Sequence, residues 1–462
     1  MSTPSHAEIA ATLQARWPES HPAPSLARIE ALCDLLGSPQ DAYPVIQITG
    51  TNGKGSTALM IDSLLRALGL RTGRISSPHL VDLTERIAID GRPMDADAFD
   101  ELVAETQPFV DLVDAQAIDG IPMTFFEVMT GLAYAAFAQA PVDVAVVEVG
   151  MGGSWDATSV ADASVAVLCP IDLDHTHLLG DTVEEIAGEK AGIIKPGSVA
   201  VVAHQRPEVD EVIARRCRDV GARFVTEGDG FALLDRRVAV GGQVIRVEAA
   251  GGPVDDVLLP LHGEHMAHNA ALAIAAVEAF LGGKPLAADV IAEGLGAVVA
   301  PARLEVIHRA PTVVLDTCHN PHGARATIDG VTEAFDFDPL IGITAMMRDK
   351  DVDGVLEIFA EKMDSVVCTT VASTSRGMTP DDLAAHAEEI FGPGRVFTAA
   401  TMADAVDRAI ALADDAGGRA GVLIAGSVIA AGEARALLVR PDADPDPDPW
   451  GESDRDDVEE DA

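Results

Sequence analysis

Several features common in proteins are scarce in this sequence of 462 residues. No apolar run is long enough to span a membrane, and residues 1–11 lack the basic and apolar segments of an export signal. The sequence has five scattered cysteines without CxxC spacing, which disfavours a zinc site and indicates reduced thiols. These absences predict a cytoplasmic protein that does not act at a membrane.

Positive charge is also scarce. The chain carries 74 acidic and 32 basic residues, a formal net charge of −42, and only six of the basic residues are lysines. Such a balance disfavours attraction to nucleic acid or to an anionic membrane, so we expect neither as a partner. Binding of any anionic ligand must then depend on local groups and metal ions. Two explanations of the acidity stay open, a host adapted to high salt and an ordinary solvated surface.

Length and composition predict a globular protein of two or three domains. The hydrophobic content of 48% is sufficient for sizeable cores. Glycine, proline and small residues interrupt the pattern at residues 294–303 and indicate a domain junction. We expect an N-terminal domain over residues 1–300, a C-terminal domain over residues 301–440, and a disordered acidic tail over residues 441–462.

One glycine-rich segment organises the predicted N-terminal domain. Residues 49–57 (TGTNGKGST) follow the strand-like run 45–48 and precede a helix-like run. In this order the glycines let backbone N–H groups converge on phosphate oxygens, the helix N-terminus adds positive potential, and Lys54 supplies a mobile cation. The segment departs from the common P-loop pattern, because Ile48 replaces its first glycine and Gly55 follows the lysine. We still predict a phosphate-binding loop.

Acidic and imidazole side chains follow two further strand-like runs. Glu148 follows the run 142–147 beside a glycine turn, and the run 164–169 leads into residues 172–177 (DLDHTH). Open α/β sheets place ligand-binding groups at the carboxyl ends of parallel strands, which makes Glu148 the leading magnesium ligand. A surface acid that caps the turn is the alternative. No thiolate partner is evident near the imidazoles, so phosphate-bound magnesium is favoured over zinc.

Other polar segments are individually less specific. Residues 76–79 (SSPH) either bind metal or phosphate or form an ordinary capped turn. Lys190 lies on a helix that a capping box should open at Thr182; it either pairs with a neighbouring glutamate or is buried with a lowered pKa. Residues 199–260 are strand-like and rich in glycine, and no chemistry is legible there.

The predicted C-terminal domain repeats this arrangement. Its first strand, residues 312–315, precedes residues 316–322 (DTCHNPH), and a late strand, residues 421–425, ends at Gly426 and Ser427. Polar groups again gather at the carboxyl ends of strands. Two such edges that face each other would form a cleft between the domains.

Together these motifs resemble the folylpolyglutamate synthase/dihydrofolate synthase family of Mur-ligase-like ATP-dependent amide ligases. The resemblance covers nearly all of residues 20–440. It rests on the ordered set 50–56, 76–80, 148–153, 173–175, 189–192, Arg303 and 316–321. It implies an α/β fold with a P-loop-type central ATPase domain, whose sheet is mostly parallel, and a smaller Rossmann-like C-terminal domain. It also implies that a folate-type carboxylate attacks the γ-phosphate of ATP and that L-glutamate captures the acyl phosphate.

The resemblance also assigns roles to individual positions. It implies catalytic roles for Lys54, Lys190 and His319, with Lys190 carbamylated. It implies two Mg²⁺ ions held by Ser77, Glu148 and His175. The residues implied to bind ATP are Asn52, Gly53, Lys54, Gly55, Ser56, Asn269, Arg303 and Asp316. Those implied to bind the pterin are Thr124, Phe125, Phe126, Glu127, Trp155, Asp156 and Ala157, of which the two phenylalanines could equally be core aromatics. Those implied to bind the incoming glutamate are Arg303, His319 and Ser427.

The implied substrates are dihydropteroate or a reduced folate, together with L-glutamate. We expect the enzyme to be a monomer. We expect both synthase activities, because residues 24–29 resemble the pterin-side region of bifunctional bacterial members. Three alternatives remain: a monofunctional folylpolyglutamate synthase, a Mur ligase for a UDP-linked substrate, and an inactive ATP-binding regulator. The short segment before Thr49 disfavours the Mur ligase, and the intact motifs disfavour the regulator. Cys318, Ser154 and Ser159 differ from the residues that are usual in the family. These differences concern the fit of the substrate more than the ligation chemistry.

Overall fold

A computed structural model describes residues 4–18 and 23–439 of the chain. The tail predicted over residues 441–462 lies outside the described residues. Within the described part, no helix combines the length and the apolar character needed to cross a membrane. The five cysteines are free and buried.

The larger of two sheets has eleven strands, and its central strands run parallel. Its order is β11-β10-β9-β8-β7-β6-β1-β5-β2-β3-β4, with antiparallel strands at both ends. The strands are β1 (Val45–Thr49), β2 (Thr72–Ile75), β3 (Ile87–Ile89), β4 (Arg92–Pro93), β5 (Val144–Glu148), β6 (Val165–Leu168), β7 (Val199–Val202), β8 (Arg223–Glu227), β9 (Gly230–Ala239), β10 (Gly242–Ala249) and β11 (Gly252–Leu259).

The smaller sheet has six strands in the order β12-β13-β17-β14-β15-β16. Its strands are β12 (Glu305–Arg309), β13 (Thr312–Leu315), β14 (Leu340–Thr344), β15 (Ser365–Cys368), β16 (Val396–Thr398) and β17 (Gly421–Ala425). A large domain with a mostly parallel sheet and a second, smaller sheet domain confirm the predicted fold class. The expectation that residues 312–315 form the first strand of the second unit was wrong, because β12 precedes β13 and pairs with it antiparallel.

Helices cover the faces of both sheets. They are α1 (His6–Gln14), α2 (Ala27–Leu35), α3 (Lys54–Ala67), α4 (Ala96–Ala115), α5 (Phe125–Gln139), α6 (Thr176–Leu179), α7 (Val183–Lys190), α8 (Pro207–Val220), α9 (Glu264–Phe280), α10 (Ala288–Gly296), α11 (Pro321–Ala334), α12 (Val352–Ala360), α13 (Pro380–Phe391), α14 (Met402–Ala416) and α15 (Val428–Leu438). Alternate side chains of β1 enter different cores: Ile46 and Ile48 pack on the side of α3 and α9, and Val45 packs on the side of α2 and α5.

The strand-like interpretation of residues 199–260 was only partly correct. The region holds five strands, but α8 lies between β7 and β8. This helix has Pro207 in its first turn and ends at Gly221 with a φ of 67°. Its buried positions, Val209, Ile213 and Cys217, recur every four residues. These are helix signals, and the glycine-rich strands around them obscured the pattern.

Candidate active site

The phosphate-loop segment follows β1 at the edge of the sheet where β5 and β6 also end. The backbone N–H groups of Thr51 and Asn52 donate to the carbonyl oxygen of Pro170, at 2.9 and 3.4 Å. Gly53 precedes α3 in a left-handed conformation with a φ of 88°, and the helix begins at Lys54. The predicted order of strand, glycine loop and helix is therefore confirmed.

The glycines of this loop differ in what surrounds them. A Cβ atom at Gly53 would lie 2.9 Å from Oδ1 of Asn269, and one at Gly50 would lie 2.6 Å from Cβ of Cys169. Both contacts are too close for a side chain. At Gly55, an added Cβ would only come within 3.6–3.7 Å of the side chains of Arg303 and Glu148. The loop therefore faces space bordered by an arginine and a carboxylate.

Two lysines converge on one carbonyl oxygen of the loop. Nζ of Lys54 donates to the carbonyl oxygens of Gly50 and Thr51 at 3.1 and 3.3 Å. Nζ of Lys190, at the end of α7, donates to the same Gly50 oxygen at 2.9 Å. Burial, and then the nearby charge of Lys54, lowers the pKa of Lys190 to about 7. Of the two readings of Lys190, the buried one agrees with the structure, since the carboxylate of Glu189 accepts from Ser154 instead.

Glu148 is a buried carboxylate at the carboxyl end of β5. Its Oε2 accepts a hydrogen bond from the backbone N–H of Ser77, which follows β2, at 3.3 Å. The alternative of a surface acid was wrong, because Glu148 is only 4% exposed. Burial raises the pKa of this carboxyl, and the charge of Lys54 opposes the rise. A buried carboxylate beside a phosphate loop is suited to accept a cation.

The donor chemistry of the predicted metal ligands fits magnesium better than zinc. In residues 4–18 and 23–439, no three His, Cys, Asp or Glu side chains form a metal-binding group. Magnesium needs only one or two protein carboxylates, because phosphate oxygens and waters complete its shell. The predicted ligands, Glu148, the hydroxyl of Ser77 and His175, include one such carboxylate. Burial lowers the pKa of His175 to about 4, so its imidazole is neutral at pH 7.

Side chains from α9, from the segment before β12 and from the loop after β13 border the phosphate loop. Nδ2 of Asn269 on α9 donates to Oγ of Ser56 at 3.1 Å, and Arg303 donates to the hydroxyl of Thr317. Asp316 accepts from the backbone N–H groups of Leu304 and Cys318, and from Thr327, at 2.8–3.1 Å. Its oxygens are used to hold the segment that carries Arg303. Asp316 is therefore a buried residue that holds its neighbours in place.

Side chains on loops of the two domains also form hydrogen bonds with each other. The amides of Asn52 and Asn320 exchange hydrogen bonds at 3.1 and 3.4 Å, and Nδ2 of Asn52 lies 2.9 Å from Nδ1 of His322. Asp174, after β6, accepts from Nζ of Lys350 at 2.8 Å. Burial alone would raise the pKa of Asp174, but the adjacent cations hold it well below its usual range. The loops after β1, β6 and β13 thus form one polar cleft.

The residues predicted to meet glutamate lie on this same cleft. His319 is 3.8 Å from Asp174, and burial lowers its pKa to about 4, so it is neutral at pH 7. Ser427 is buried, and its hydroxyl caps α15 by accepting from the N–H of Ile429. The N–H of Gly426 donates to the carbonyl oxygen of Cys318 at 3.0 Å. This bond brings the turn at Ser427 beside the loop of His319.

Comparison with known proteins identifies the family. Residues 104–277 match the model of the Mur ligase middle domain, and residues 302–428 match that of the Mur ligase glutamate ligase domain. The chain is 48% identical to the dihydrofolate synthase/folylpolyglutamate synthase of Mycobacterium tuberculosis H37Rv, over 95% of this chain and 96% of that one. The chain belongs to the dihydrofolate synthase/folylpolyglutamate synthase family. The resemblance seen in the sequence is thereby confirmed, and the protein is an ATP-dependent ligase.

Solved structures of this family agree with the fold. A Mycobacterium tuberculosis folylpolyglutamate synthase in complex with ADP superposes with a TM-score of 0.90 at 48% identity, covering 94% of this chain and 98% of that one. A folylpolyglutamate synthase complex with AMPPCP and folate superposes with a TM-score of 0.83 at 31% identity, covering 95% and 100%. The family match spans both sheets.

In the first segment predicted to bind the pterin, most polar side chains contact other groups of the protein. Thr124 caps α5 and forms a capping box with Glu127, through bonds of 3.1 and 2.7 Å. Glu127 also pairs with the guanidinium of the buried Arg28 at 2.9 Å. Phe125 is a core residue, and Phe126 is half-buried. A Cβ at Gly150 would lie 2.6 Å from the ring of Phe126, so this ring borders the turn after β5.

The second predicted pterin segment follows that turn. Asp156 is buried and accepts from the N–H groups of Met151 and Thr158 at 2.9 and 3.0 Å. Burial raises the pKa of its carboxyl, and these hydrogen bonds oppose the rise. Trp155 is half-buried and Ala157 is buried. The two segments therefore share the turn at residues 150–156, and Phe126 and Trp155 retain exposed ring surface.

Sequence reasoning gave no individual role to Asp174, Asn320 and Lys350 at the cleft, or to the buried Arg28, which pairs with Glu127. Two signals for them existed. Asn320 precedes Pro321, which is the pattern of a helix N-cap. Lys350 is one of only six lysines in an acidic chain. Neither signal identifies the partner across the cleft, and Arg28 carries no local signal of its burial.

Proposed function

We propose that this ligase adds L-glutamate both to dihydropteroate and to reduced folates, as a bifunctional dihydrofolate synthase and folylpolyglutamate synthase. The observation that carries the proposal is the direct bonding of the phosphate loop to the loop of His319 and Asn320. This bonding supports the proposal, because it joins the predicted phosphate loop to a second polar loop. The relative from Mycobacterium tuberculosis, 48% identical, is named for both synthase activities.

The chemistry proceeds in two balanced steps. A substrate carboxylate oxygen attacks the γ-phosphorus of ATP, the bond to the β-phosphate oxygen breaks, and ADP leaves. The amine of glutamate then attacks the carbonyl carbon of the acyl phosphate, the carbon–oxygen bond breaks, and phosphate leaves as the amine loses its proton. Asn52, Gly53, Lys54, Gly55 and Ser56 would hold the phosphates, because their N–H groups and the Lys54 ammonium stabilise developing negative charge. Asn269, Arg303 and Asp316 complete the nucleotide side.

The metal and lysine assignments are those that the family resemblance implies. Ser77, Glu148 and His175 would hold two Mg²⁺ ions, which supply neutralisation of phosphate charge when bound. Lys190 is the group to carbamylate, since a pKa of about 7 leaves much of its amine neutral at physiological pH. Carbon dioxide would form a bond to this nitrogen while a proton leaves to solvent. The product is an anion in place of a cation.

Substrate roles are assigned on both flanks of the phosphate loop. Arg303, His319 and Ser427 would receive the incoming glutamate. Phe126 and Trp155 would contact the pterin ring, with Thr124, Glu127, Asp156, Ala157 and the core residue Phe125 shaping the wall behind them. We also infer a cytoplasmic location, which the five free thiols support, and domains divided near residue 300, which the two separate sheets support. The monomer is inferred from the family resemblance alone.

The deciding experiment measures ADP release and the glutamylated product by mass spectrometry. The purified chain receives Mg-ATP and L-glutamate, with dihydropteroate in one reaction and tetrahydrofolate in another. Product in both reactions supports the proposal. Product in only one reduces the enzyme to that single synthase. Silence in both, at low and at multimolar KCl, overturns the proposal.

A further inference from the structure

Asn320 connects the two sheets at the cleft. Its side chain is buried, and its Oδ1 caps α11 by accepting from the N–H of Gly323 at 2.7 Å. Its Nδ2 donates to Oδ1 of Asn52 at 3.1 Å and to Oδ2 of Asp174 at 3.5 Å. Its Oδ1 also lies 3.4 Å from the donor Nδ2 of Asn52. One amide thus anchors a helix of the smaller sheet domain and two loops of the larger one.

The two loops that Asn320 contacts form a single unit. The hydroxyl of Thr51 donates to the carbonyl oxygen of Asp172 at 2.8 Å and accepts from the N–H of the same residue at 3.0 Å. Thr51 and Asn52 also share the carbonyl oxygen of Pro170. A displacement of Asn320 would therefore act on the phosphate loop and on the loop after β6 together.

We propose that Asn320 is a positioning residue for ligation: it sets the distance between the phosphate loop and the 316–322 loop, and so aligns the amine-binding side with the transferred phosphoryl group. This inference rests on the proposed function, in which the phosphate loop holds the phosphates of ATP and the 316–322 loop carries His319, one of the residues that would receive glutamate. A misplacement of about 1 Å between reacting groups can cost about 100-fold in rate. Asparagine suits this position because a single side chain supplies both the cap acceptor and the cross-cleft donor.

Aspartate at this position separates the two duties. Asn320→Asp keeps an oxygen that can cap α11, because aspartate and asparagine are equally good N-caps. It removes the donor to Asn52 and Asp174, leaves only the longer bond from Nδ2 of Asn52, and places a second carboxylate beside Asp174. We expect the melting temperature to fall, because the new buried carboxylate lies beside Asp174, and we expect the Kd for ADP to change less than threefold. We expect kcat/KM for glutamate to fall about 100-fold while the KM for ATP changes less than threefold.

Thr379→Ala is the matched control. Thr379 caps α13 of the same domain and accepts from the N–H of Asp382 at 3.1 Å. This variant loses a cap outside the cleft, so its melting temperature should fall by about 2–4 °C while kcat/KM for glutamate stays unchanged.

The double variant Asp174→Asn with Asn320→Asp reverses the direction of the bond between the two positions. It should recover at least about tenfold of the activity that Asn320→Asp loses.

Hydrogen exchange with and without ADP supplies a readout that does not depend on catalysis. In the wild type, ADP should slow exchange both at residues 50–57 and at residues 316–323; in Asn320→Asp it should slow exchange only at residues 50–57. The proposal is overturned by protection of both segments in the variant, or by an equal loss in Thr379→Ala. It is also overturned if the KM values for ATP and glutamate rise together. A wild type without ligase activity would refute the proposed function, while the exchange result would still decide the role of Asn320.

Discussion

The phosphate loop and the Thr124–Glu127 segment are both assigned to ligands by family motif, yet their contacts differ. In the phosphate loop, glycines bring the backbone close to Asn269 and Cys169, and Gly55 is bordered by the side chains of Arg303 and Glu148. In the Thr124–Glu127 segment, the polar groups cap α5 and pair with Arg28. The loop thus presents its groups to a ligand, whereas most groups of the segment hold the fold.

The comparison separates the motif residues that can contact a ligand from those that stabilise the fold. Lys54 forms its hydrogen bonds to the loop's own carbonyl oxygens, which a phosphate can replace at little cost. Glu127 sits in a buried ion pair, and removal of either partner leaves an uncompensated charge. Substitutions in the loop should therefore reduce activity more than stability. Substitutions around Glu127 should do the reverse.

The largest expected effect is on turnover. Lys54→Ala should lower kcat by about 1000-fold or more, because a cation that stabilises phosphoryl charge is lost. The fold should be intact, with an unchanged circular dichroism spectrum and melting temperature. Steady-state ADP release measures the effect, and the exposed Lys362→Ala serves as control. Near-normal turnover in a well-folded Lys54→Ala enzyme would remove the phosphate-loop assignment.

On the other side of the comparison, Arg28→Met should reduce stability. Arg28 is 1% exposed, and its loss leaves Glu127 buried without its partner. The free energy of unfolding in urea should fall by about 3–5 kcal/mol. Arg237→Met is the control, because the Arg237–Asp256 pair is mostly exposed and should contribute about 0–1 kcal/mol. Equal losses in both variants would contradict a structural role for Arg28.

A pair of glycines with similar backbone conformation sharpens the loop side. Gly53 and Gly69 have φ values of 88° and 77°, but only the Cβ at Gly53 would meet a neighbour, Asn269, while that at Gly69 meets nothing within 4 Å. Gly53→Ala should raise the KM for ATP about 10- to 100-fold, through backbone strain and displacement of Asn269. Gly69→Ala should leave this KM unchanged. Similar KM values for the two variants would show that the close contact is unimportant.

The smallest expected effect on stability concerns the burial of Lys190. An unfolded lysine has a pKa of about 10.4, whereas that of folded Lys190 is about 7. The cost of burying the ammonium is therefore fully present below pH 7 and declines as the pH rises towards 10.4. Lys190→Met should be more stable than wild type by about 1–3 kcal/mol at pH 7, after loss of the bond to Gly50.

This gain should shrink by pH 9.5, and the Lys190→Met variant should lack ligase activity. Unfolding curves at the two pH values, with and without bicarbonate, measure the effect. A stability difference that does not depend on pH would contradict the buried-cation interpretation. A gain that disappears only with bicarbonate would instead support carbamylation of Lys190.

Much of the local structure could be predicted because its signals are short. The strand before Thr49, the helix after Gly53 and the capping box at Thr182 follow from neighbouring residues. Helix α8 was missed, although Pro207 and Gly221 mark its ends, because glycine-rich strands surround it. From the sequence, Phe125 and Phe126 could each be a pterin contact or a core residue. Only packing against the sheet distinguishes the two side chains.

The sequence by itself determined the phosphate loop, the mostly parallel α/β class and the family, since each depends on residue types at fixed spacing. Tertiary structure alone decided the partners of the charged and amide side chains. Asn52 and Asn320 are 268 residues apart, and Asp174 and Lys350 are 176 apart. Their contacts follow from how the two sheets pack, which is the sum of many small burial energies. No local pattern records that sum.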